Sequence, residues 1–299
     1  MGLPVYNGAR YVAEAITSVL DQTEQDFELV ISDNASVDDT EEICREFAAR
    51  DERVIYVRNE TNVGGAPNYN RCLALSSATD FFKWIAHDDT IDNRFLELCS
   101  AALDAEPEAS LAFPTLIEID AEGRTLRTEP ADLGIVDPHA GRRARAFVDE
   151  IRRSRDILWA VFGLARRSSL LRGGLHGSYV ASDQVFLFEL VLAGKAVFVP
   201  GTSYTRRVHV GASMQVNVSP KARAAWYDTA SKPRLGLPHW TMLAHHAAVV
   251  HRSGLPPREQ SRAYRAVARR ARHEWRNLGG DLRAVVRERA SRPGARRAG

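Results

Sequence analysis

Two adjacent carboxylates in the first third of the chain are residues whose type and spacing could do chemistry. Asp88 and Asp89 follow the apolar run Phe81 to Ala86 and the side chain of His87. Neighbouring carboxylates on an exposed turn repel each other unless a cation lies beside them. Mg²⁺ and Mn²⁺ take oxygen ligands and commonly bridge carboxylates to substrate phosphates. The pair therefore predicts a divalent metal and a phosphate-bearing ligand, and the alternative is that it caps the helix that follows.

Polar residues also follow other apolar runs, and they extend this prediction to a whole edge of a sheet. Asp33 and Asn34 follow Phe27 to Ser32, and Tyr6 and Asn7 follow the first short strand. Open parallel sheets bind ligands beyond the carboxyl ends of their strands. No G-x-G-x-x-G follows the first strand, and no G-x-x-x-x-G-K-[ST] occurs in the sequence. Phosphate binding in the dinucleotide or P-loop manner is therefore not expected.

The elements that would position these residues alternate between strand and helix. Strands are predicted at Phe27–Ser32, Val54–Val57, Phe81–Ala86 and Leu111–Ile119, with helices at Ala9–Asp21, Asp39–Arg50, Pro67–Ser77 and Asn93–Ala105. Such alternation with short connections predicts a mostly parallel sheet covered by helices. Further on, helices are predicted at Arg142–Arg155 and Ser182–Ala193, and short strands at Ala196–Val199 and Tyr204–Val208.

Four motifs in this order resemble those of family 2 glycosyltransferases, which are inverting enzymes of the GT-A fold. They are Pro4-Val5-Tyr6-Asn7-Gly8, the segment Val30 to Thr40, Asn62-Val63-Gly64-Gly65, and His87-Asp88-Asp89. The resemblance covers roughly residues 3–215. It implies an α/β fold with a GT-A type nucleotide-binding sheet and helices on both faces. Residues 1–120 would bind the nucleotide sugar, residues 121–215 would bind the acceptor and carry catalysis, and residues 216–299 would form a helical, Arg-rich C-terminal extension.

The resemblance also implies how the donor is held. Asp88 would face the ribose, and Asp89 would bind the metal that bridges the diphosphate. A carboxylate at Asp33, with Asn34 beside it, can accept the imide N–H of uracil or thymine; an Asx-turn is the alternative. The other pocket residues are Pro4, Tyr6 and Asn7 on one wall and Asn62 and Asn70 on the other. For Tyr6 the alternative is an ordinary half-buried aromatic, and for Asn62 a simple turn.

Inverting transfer requires a base on the face opposite the leaving diphosphate. The family places an Asp for this role at the start of a helix, usually after a Glu; here Asp183 matches the Asp and Ser182 replaces the Glu. A first-turn acid favoured by the helix dipole is the alternative for Asp183. In the segment Arg206 to Ser213, His209 is predicted to be a second metal ligand or a diphosphate contact, and Arg207 to neutralise phosphate charge.

The resemblance therefore predicts an inverting, metal-dependent glycosyltransferase. The donor would be a nucleoside diphosphate sugar of UDP or dTDP type, and the acceptor a glycan or a lipid-linked molecule in bacterial cell-surface polysaccharide synthesis. One alternative is a nucleotidyltransferase, although residues 7–11 offer only Arg10 for the basic signature loop that it would need. Another is a degenerate nucleotide-sugar-binding protein, which Ser182 and His87 would support.

The charge of the chain is divided unevenly. Residues 258–299 hold 13 Arg and 4 acidic residues, whereas residues 1–257 hold 27 basic and 34 acidic residues. Helical spacing predicts one Arg face and one apolar face, formed respectively by Arg262, Arg265, Arg269, Arg272 and Arg276 and by Tyr264, Val267, Ala268, Ala271 and Trp275. This pattern indicates contact of residues 258–297 with an anionic membrane, packing on the acidic body, or a solvated charged face. No nucleic-acid recognition motif accompanies the charge.

Composition excludes other classes of protein. The longest uncharged apolar run, Ile157 to Ala165, is far shorter than the roughly 20 residues of a membrane-spanning helix. The three cysteines are far apart, which indicates reduced thiols rather than a disulfide framework or a zinc site. These features predict a cytoplasmic protein, or one that is peripheral on the inner face of the cell membrane.

Overall fold

A parallel sheet of three strands begins the fold. In this computed structural model, which describes residues 1–129, 135–153, 156–211, 226–227, 229 and 237–291, the strands are β1 (Gly2–Val5), β2 (Leu29–Asp33) and β3 (Val54–Arg58). Their register places Val5 opposite Asp33, and Asp33 opposite Arg58. Helices α1 (Val12–Leu20) and α2 (Thr40–Arg50) make the connections. The carboxyl ends of the strands therefore lie side by side, as the alternating pattern predicts.

The apolar spacing of α1 explains why this helix covers the sheet. Val12, Ala15, Ile16 and Val19 recur at three- and four-residue steps and are fully buried. Such a stripe faces the core while the polar residues between its members face solvent. Burial of this stripe fixes α1 against the sheet, and the polar end of β1 is thereby held next to the end of β2.

A second sheet of six strands is mixed rather than parallel, which corrects the expectation of one mostly parallel sheet. Its order is β4 (Phe81–Phe82), β8 (Leu164–Arg166), β6 (Ala109–Ile119), β9 (Lys195–Arg207) and β5 (Thr90–Ile91), and β7 (Thr125–Glu129) also pairs with β6. β6 and β9 run parallel, whereas the other pairs in this sheet are antiparallel. Antiparallel pairs require only short connections, and the irregular second half of the sequence supplies these.

The segment predicted as a strand over Phe81–Ala86 joins the two sheets. Only Phe81–Phe82 form a strand, and the chain then crosses to β1. The N–H of Gly2 donates to the oxygen of Lys83 at 2.9 Å, and the N–H of Ile85 donates to the oxygen of Gly2 at 2.9 Å. A Cβ atom on Gly2 would lie 2.5 Å from the Cβ of Cys72, so only glycine permits this close approach. The crossing brings His87, Asp88 and Asp89 to the ends of the parallel strands.

β9 is one long strand where two short strands were predicted. Its register with β6 jumps between the Phe113–Phe198 pair and the Thr115–Ser203 pair. Pro200 and Gly201 lie in this irregularity, and Gly201 has a φ of +82°. A bulge at these residues lets the strand continue although Pro interrupts the apolar pattern. β9 therefore reaches as far as Arg207, close to the end of β1.

Helices make up most of the remaining chain. They are α3 (Gly65–Leu75), α4 (Phe95–Ala105), α5 (Ala140–Arg153), a 3₁₀-helix (Asp156–Phe162), α6 (Arg167–Leu171), α7 (Ser182–Ala193), α8 (Pro238–Arg252), α9 (Pro257–His273) and α10 (Trp275–Ser291). The predicted boundary between residues 215 and 216, and Ser213 of the motif containing His209, fall outside the described residues. The division of the chain into three parts therefore stays a prediction. Within the described residues, no helix is both long enough and apolar enough to cross a bilayer.

The predicted apolar face of the basic tail is wrong for Tyr264 and Trp275, which are exposed. The buried residues of α9 are Ala263, Ala266, Val267 and Arg270, whereas Tyr264 and Trp275 are exposed. The prediction assumed one continuous helix, but α9 ends at His273 and α10 begins at Trp275. The helix α9 packs on α5 and α8, where the Nε atom of Arg269 donates to Oδ1 of Asp149 at 2.8 Å. Part of the tail is therefore packed on the body.

Candidate functional site

Asp33 is the last residue of β2, at the carboxyl edge of the parallel sheet. Its carboxylate is fully buried. Oδ1 accepts the N–H of Ser36 at 2.9 Å, and Oδ2 accepts the hydroxyl of Tyr56 at 2.7 Å and lies 3.4 Å from Nε of Arg58. The Ser36 contact has the form of the local turn that was the alternative for Asp33. The role of Asp33 in base binding stays a prediction.

Asn34 organises the loop that would form one wall of a nucleoside pocket. Its Nδ2 donates to Oδ1 of Asn62 at 3.0 Å and to the oxygen of Gly64 at 3.2 Å. Its Oδ1 accepts the N–H of Val63 and the side-chain amide of Asn59. Asn34 and Asn62 are therefore in direct contact, and their amides are used within the protein. Their contact with a nucleoside stays a prediction.

The opposite wall is formed by the chain after β1. Pro4 is buried within β1, and Tyr6, just beyond it, is 44% exposed. Asn7 adopts a left-handed conformation with a φ of +52°. Its Oδ1 accepts the N–H of Val37 at 3.0 Å, and its own N–H donates to Oγ of Ser36 at 2.9 Å. The two loops are thereby joined, and the ring of Tyr6 is left accessible.

Asp89 is the buried member of the acidic pair. Its Oδ2 accepts the hydroxyl of Tyr204 at 2.5 Å, and its Oδ1 accepts the N–H of Arg207 at 2.8 Å. Burial, and secondly the charge of Asp88, raise the pKa of Asp89 to about 8. β9 supplies both donors, so Asp89 fastens the end of β9 to the turn that precedes β5.

Asp88 lies against the imidazole of His209. Nε2 of His209 is 3.0 Å from Oδ2 of Asp88, and both side chains are mostly buried. The edge of the Tyr11 ring contacts the imidazole, with the ring centroids 4.9 Å apart. The sequence-predicted metal ligand His209 is therefore adjacent to the acidic pair, and its direct partner is Asp88 rather than Asp89.

Arg207 turns away from the acidic pair. Its Nη2 donates to both carboxylate oxygens of Glu14, on α1, at 2.6 and 2.7 Å. Its guanidinium also lies 4.7 Å from the centre of the Tyr11 ring. The side chain is buried in this position, so its predicted contact with phosphate would require it to leave Glu14.

Asp183 opens α7, as the sequence predicts for a base. Its Oδ1 accepts the N–H of Gln184 at 3.0 Å. Burial raises the pKa of Asp183, and the charge of Arg270 opposes that shift. Ala181, just before the helix, has a left-handed φ of +66°, and its N–H donates to the hydroxyl of Tyr227 at 3.3 Å. Asp183 is thus held in a defined first turn.

Asn70 fixes the loop that leads to Asp183. Its Nδ2 donates to the oxygen of His176 at 2.8 Å, and its Oδ1 accepts the N–H of the same residue at 3.0 Å. The imidazole of His176 stacks on Phe186 and meets the edges of Tyr69 and Trp84. Burial lowers the pKa of His176 to about 4, so the ring is neutral. The structure thus places Asn70 under the loop before α7, while its predicted role in the nucleoside pocket stays a prediction.

Left-handed backbone conformations occur in the loops that carry the candidate site residues. Within the described part of the chain, the non-glycine residues with positive φ are Asn7, Ala35, Leu175 and Ala181. The first two follow β1 and β2, and the last two border the loop before α7. Strained conformations of this kind persist where the surrounding structure enforces them, and they cluster at functional sites.

Several residues that contact the candidate site residues were not predicted from the sequence. Tyr204 and Tyr56 donate to Asp89 and Asp33, and His176 lies beneath the loop before Asp183. Lys83 is fully buried, with its Nζ 4.5 Å from the centre of the Phe95 ring and 5.4 Å from that of Tyr204. Of these residues, Lys83 is the one with a signal in the sequence, because it is the charged residue within the apolar run Phe81 to Ala86.

Asp88, Asp89 and His209 are the residues that could hold a divalent ion. Among the residues that can be described, no group of three or more His, Cys, Asp and Glu side chains has the arrangement of a complete metal site. Asp88 and His209 nevertheless offer an oxygen and a nitrogen ligand side by side. Mg²⁺ is usually held by one or two carboxylates together with substrate phosphates, and Mn²⁺ shares its preference for oxygen ligands, so Asp88 is the better matched of the two residues. The residues therefore fit an ion that is shared with a bound diphosphate.

Comparison with known sequences identifies a family for most of this fold. The model described as "Glycosyl transferase family 2" matches residues 2–171. An uncharacterized glycosyltransferase of Rickettsia prowazekii is 34% identical over 87 residues, which is 29% of this chain and 26% of the relative. TuaG of Bacillus subtilis, whose name refers to teichuronic acid biosynthesis, is 31% identical over 110 residues, which is 37% of this chain and 42% of that protein. The chain thus matches between about a quarter and two fifths of the length of these relatives.

Solved structures share the fold over almost the whole chain. Residues 1–349 of TarS from Staphylococcus aureus superpose with a TM-score of 0.63 at 16% identity, covering 96% of this chain and 80% of that one. A mannosyltransferase from Pyrobaculum calidifontis, in complex with GDP-Man and Mn²⁺, gives a TM-score of 0.53 at 15% identity, covering 97% of this chain and 86% of that one. At these identities the likeness shows the fold, and it confirms the predicted GT-A architecture.

Proposed function

The chain belongs to glycosyltransferase family 2, and from this premise we propose that it transfers a sugar from a nucleoside diphosphate sugar to an acceptor hydroxyl with inversion. The observation that carries this proposal is the Asp88–His209 pair, with its side-chain atoms 3.0 Å apart beside the carboxyl ends of parallel strands. That edge is where open α/β sheets bind their ligands. The pair is suited to share a cation with the diphosphate of a donor.

The donor would bind on the surface that the joined loops after β1 and β2 form. Asp33 would accept from a pyrimidine imide, and Tyr6 would pack near the base. Asn62 would lie on the opposite side of the base. TarS of Staphylococcus aureus has been solved with UDP and with UDP-GlcNAc, which supports a uridine nucleotide as the first donor to test.

A divalent ion would be held by Asp88 and His209, with Asp89 behind them. When bound, such an ion stabilises the negative charge on the leaving diphosphate. This arrangement differs from the sequence-based assignment of Asp89 to the metal and Asp88 to the ribose. We favour Asp88 because β9 already donates hydrogen bonds to both oxygens of Asp89.

Asp183 would act as the base. Its carboxylate takes the proton of the acceptor hydroxyl as that oxygen bonds to the anomeric carbon and the bond from that carbon to the diphosphate breaks. The diphosphate leaves with the electrons of the broken bond, and Asp183 keeps the proton that the acceptor hydroxyl loses. Because its pKa is raised, the Asp183 carboxylate binds a proton more tightly than an ordinary aspartate does. A general base is most effective when its pKa lies near the working pH.

The acceptor would be a glycan or a lipid-linked glycan of bacterial cell-surface polysaccharide synthesis. The names of relatives such as TuaG support this class. The structure adds a surface on α10, where Trp275, Leu282 and Val286 are 64%, 49% and 67% exposed. These residues recur at seven- and four-residue steps, so they form one apolar stripe along the helix.

Exposed arginines border that stripe, whereas Asp281 of the same helix is buried. Arg276, Arg283 and Arg287 are exposed, and Asp281 is buried, where it accepts the N–H of His239 at 2.9 Å. An apolar stripe flanked by cations is typical of helices that lie in the headgroup layer of an anionic membrane. We call the exposed residues of 275–287 the α10 stripe, and we propose that it binds anionic lipid, where a lipid-linked acceptor would be found.

The experiment that tests the proposed activity combines binding and turnover. The protein is screened by thermal shift against UDP-, dTDP- and GDP-sugars with and without Mn²⁺, and then incubated with the stabilising donor and bacterial polysaccharide acceptors. Metal-dependent stabilisation by one donor, with release of its nucleoside diphosphate, is expected. Release of pyrophosphate from a nucleoside triphosphate and a sugar phosphate would instead indicate a nucleotidyltransferase. Stabilisation without turnover would indicate a binding protein with a degenerate site.

A further inference from the structure

Arg270 is a buried cation in a part of the chain that lies beyond the family match. It belongs to α9, is 3% exposed, and is the one arginine of α9 in the buried core, since Arg258, Arg265 and Arg272 of the same helix are exposed. The family match ends at residue 171. Burying a guanidinium is costly unless its N–H groups find well-placed acceptors. The contacts of Arg270 must therefore offset the cost of burying its guanidinium.

These contacts connect three helices. Nη2 of Arg270 donates to Oε1 of Gln184, the third residue of α7, and lies 3.1 Å from Sδ of Met242 on α8. Nη1 lies 3.4 Å from Nε2 of His246, also on α8. Burial, and secondly the charge of Arg270, lower the pKa of His246 to about 3. The imidazole is therefore neutral: Nδ1–H donates to the oxygen of Met242 at 2.8 Å, and Nε2 accepts from Arg270.

Gln184 is the neighbour of Asp183, and the two are also bonded to each other. The N–H of Gln184 donates to Oδ1 of Asp183 at 3.0 Å and also contacts the oxygen of Ala181 at 3.2 Å. Arg270 thus holds the side chain of the residue whose backbone fixes the Asp183 carboxylate. It lies beneath the first turn of α7, on the inner side of the helix.

We propose that Arg270 is a positioning residue for the glycosyl transfer, because it fixes the first turn of α7 through Gln184 and thereby orients the Asp183 carboxylate. This inference rests on the proposed function, in which Asp183 is the base. Through Arg270, the C-terminal helices α8 and α9 help to hold Asp183 in position. The positive charge of Arg270 also favours the ionised form of Asp183, which a base requires.

Other charged and titratable groups lie around α7. Arg143 of α5 donates to the oxygens of Val191 and Leu192 at the far end. Arg252 of α8 pairs with Glu189, and Tyr179 stacks on His245 with the ring centroids 4.0 Å apart. Near the first turn, Tyr179 interacts with the charge of Asp183, and the hydroxyl of Tyr227 accepts the N–H of Ala181. Substitution of Arg270 leaves these two tyrosines in place.

The test compares Arg270→Met, Arg270→Lys and Gln184→Leu in the full chain with an exposed control, Arg272→Met. Circular dichroism and thermal unfolding first establish that each variant is folded. For Arg270→Met we expect kcat to fall about tenfold or more, with the donor KM changed less than twofold. The acidic limb of its pH–rate profile should move to higher pH. Arg270→Lys should recover part of both effects, and Arg272→Met should match the wild type.

A double variant distinguishes positioning from a general loss of packing. Arg270→Met combined with Gln184→Leu should be no slower than the worse single variant, because both changes break one connection. Wild-type kcat and an unmoved acidic limb in a folded Arg270→Met variant would overturn the inference, as would a loss of kcat that merely follows the unfolded fraction. Failure of the proposed function would look different, since the wild type itself would then transfer no sugar.

Discussion

The Nε2 atom of His209 lies 3.0 Å from Oδ2 of Asp88, although 121 residues separate them in the chain. β9 creates this proximity, because its last residue, Arg207, is fastened to Asp89 by a backbone hydrogen bond of 2.8 Å. The end of one strand therefore brings the imidazole of His209 to the acidic pair. Single substitutions in this pair can therefore show which side chain is needed for thermal stabilisation by Mn²⁺.

We expect Asp88→Asn and His209→Ala to raise the Mn²⁺ concentration for half-maximal thermal stabilisation about tenfold to a hundredfold. Each change removes one of the two ligand side chains that face each other. His87→Ala is the matched control, since it alters the neighbouring residue and should leave the metal response unchanged. If Asp89→Asn abolished the response in a folded protein while Asp88→Asn kept it, Asp89 would be the ligand and our assignment would be wrong.

The second prediction concerns Asp183 and pH. Burial raises the pKa of this carboxyl, so turnover should fall as the pH drops through a value above that of an ordinary aspartate. Asp183→Asn should reduce kcat by about a thousandfold, which is typical for the loss of a general base. Donor binding should be retained, as measured by calorimetry, and the exposed Asp104→Asn should behave like the wild type. Wild-type turnover in Asp183→Asn would remove this residue from the mechanism.

The loop before α7 provides the third prediction. Asn70 makes two hydrogen bonds to the backbone of His176, so Asn70→Ala should lower the free energy of unfolding by about 1–3 kcal/mol. Asn70→Asp retains the acceptor oxygen and should lose less. Urea unfolding measures both variants. Equal stability of Asn70→Ala and the wild type would show that the loop does not depend on this side chain.

The sequence was most informative where function depends on strand ends. Asp33 and Asn34 directly follow an apolar run, Asp88 and Asp89 follow another after His87, and the ends of such runs are where α/β sheets carry ligand-binding residues. The start of α7 at Ser182 was also predictable from local spacing. These positions could therefore be found from the sequence, together with the family resemblance that they carry.

Relationships across long stretches of chain could not be predicted. The pairing of Asp88 with His209 depends on how β9 passes the bulge around Gly201, and no local pattern encodes that register. Arg207 was expected at a phosphate because of its neighbours in sequence, yet its partner Glu14 is 193 residues away. The buried face of α9 depends on its packing against α5, and periodicity alone does not specify it.

The fourth prediction uses the buried cation at Lys83. Burial lowers its pKa from the ordinary 10.5 to about 7, so the folded state holds its proton less tightly than the unfolded chain. Since the unfolded state binds more protons between these values, stability should rise with pH from about 7 to 10.5. Lys83→Met removes the buried charge and should raise the free energy of unfolding by about 1–4 kcal/mol at or below pH 7.

The gain should shrink as the pH approaches 10.5, where the unfolded chain also loses the proton. Urea unfolding at pH 6.5 and pH 10 measures both points. Lys195→Met, which breaks a surface contact with Glu106 and Glu108, should change stability by about 1 kcal/mol or less. A destabilised Lys83→Met protein at pH 6.5 would show that the ammonium contributes net stability through the rings of Phe95 and Tyr204.

The fifth prediction concerns the α10 stripe. We expect the full chain to bind vesicles that contain phosphatidylglycerol and to bind pure phosphatidylcholine vesicles weakly, because the exposed cations need an anionic surface. Trp275→Ser and Val286→Ser should each weaken binding by removing apolar area that enters the headgroup layer. Arg276→Gln and Arg283→Gln should each weaken it about fivefold and reduce its salt dependence. Sedimentation with vesicles measures all of these variants.

Leu126→Ser is the control, since Leu126 is an exposed apolar residue on β7 and lies outside the α10 stripe. Charge alone would also attract double-stranded DNA, but aliphatic residues such as Leu282 and Val286 gain nothing from a phosphate backbone. If the protein bound DNA and ignored anionic vesicles, the stripe would not be a lipid surface. Loss of vesicle binding in the stripe variants, with unchanged turnover on a soluble acceptor, would place membrane contact and catalysis on separate parts of the chain.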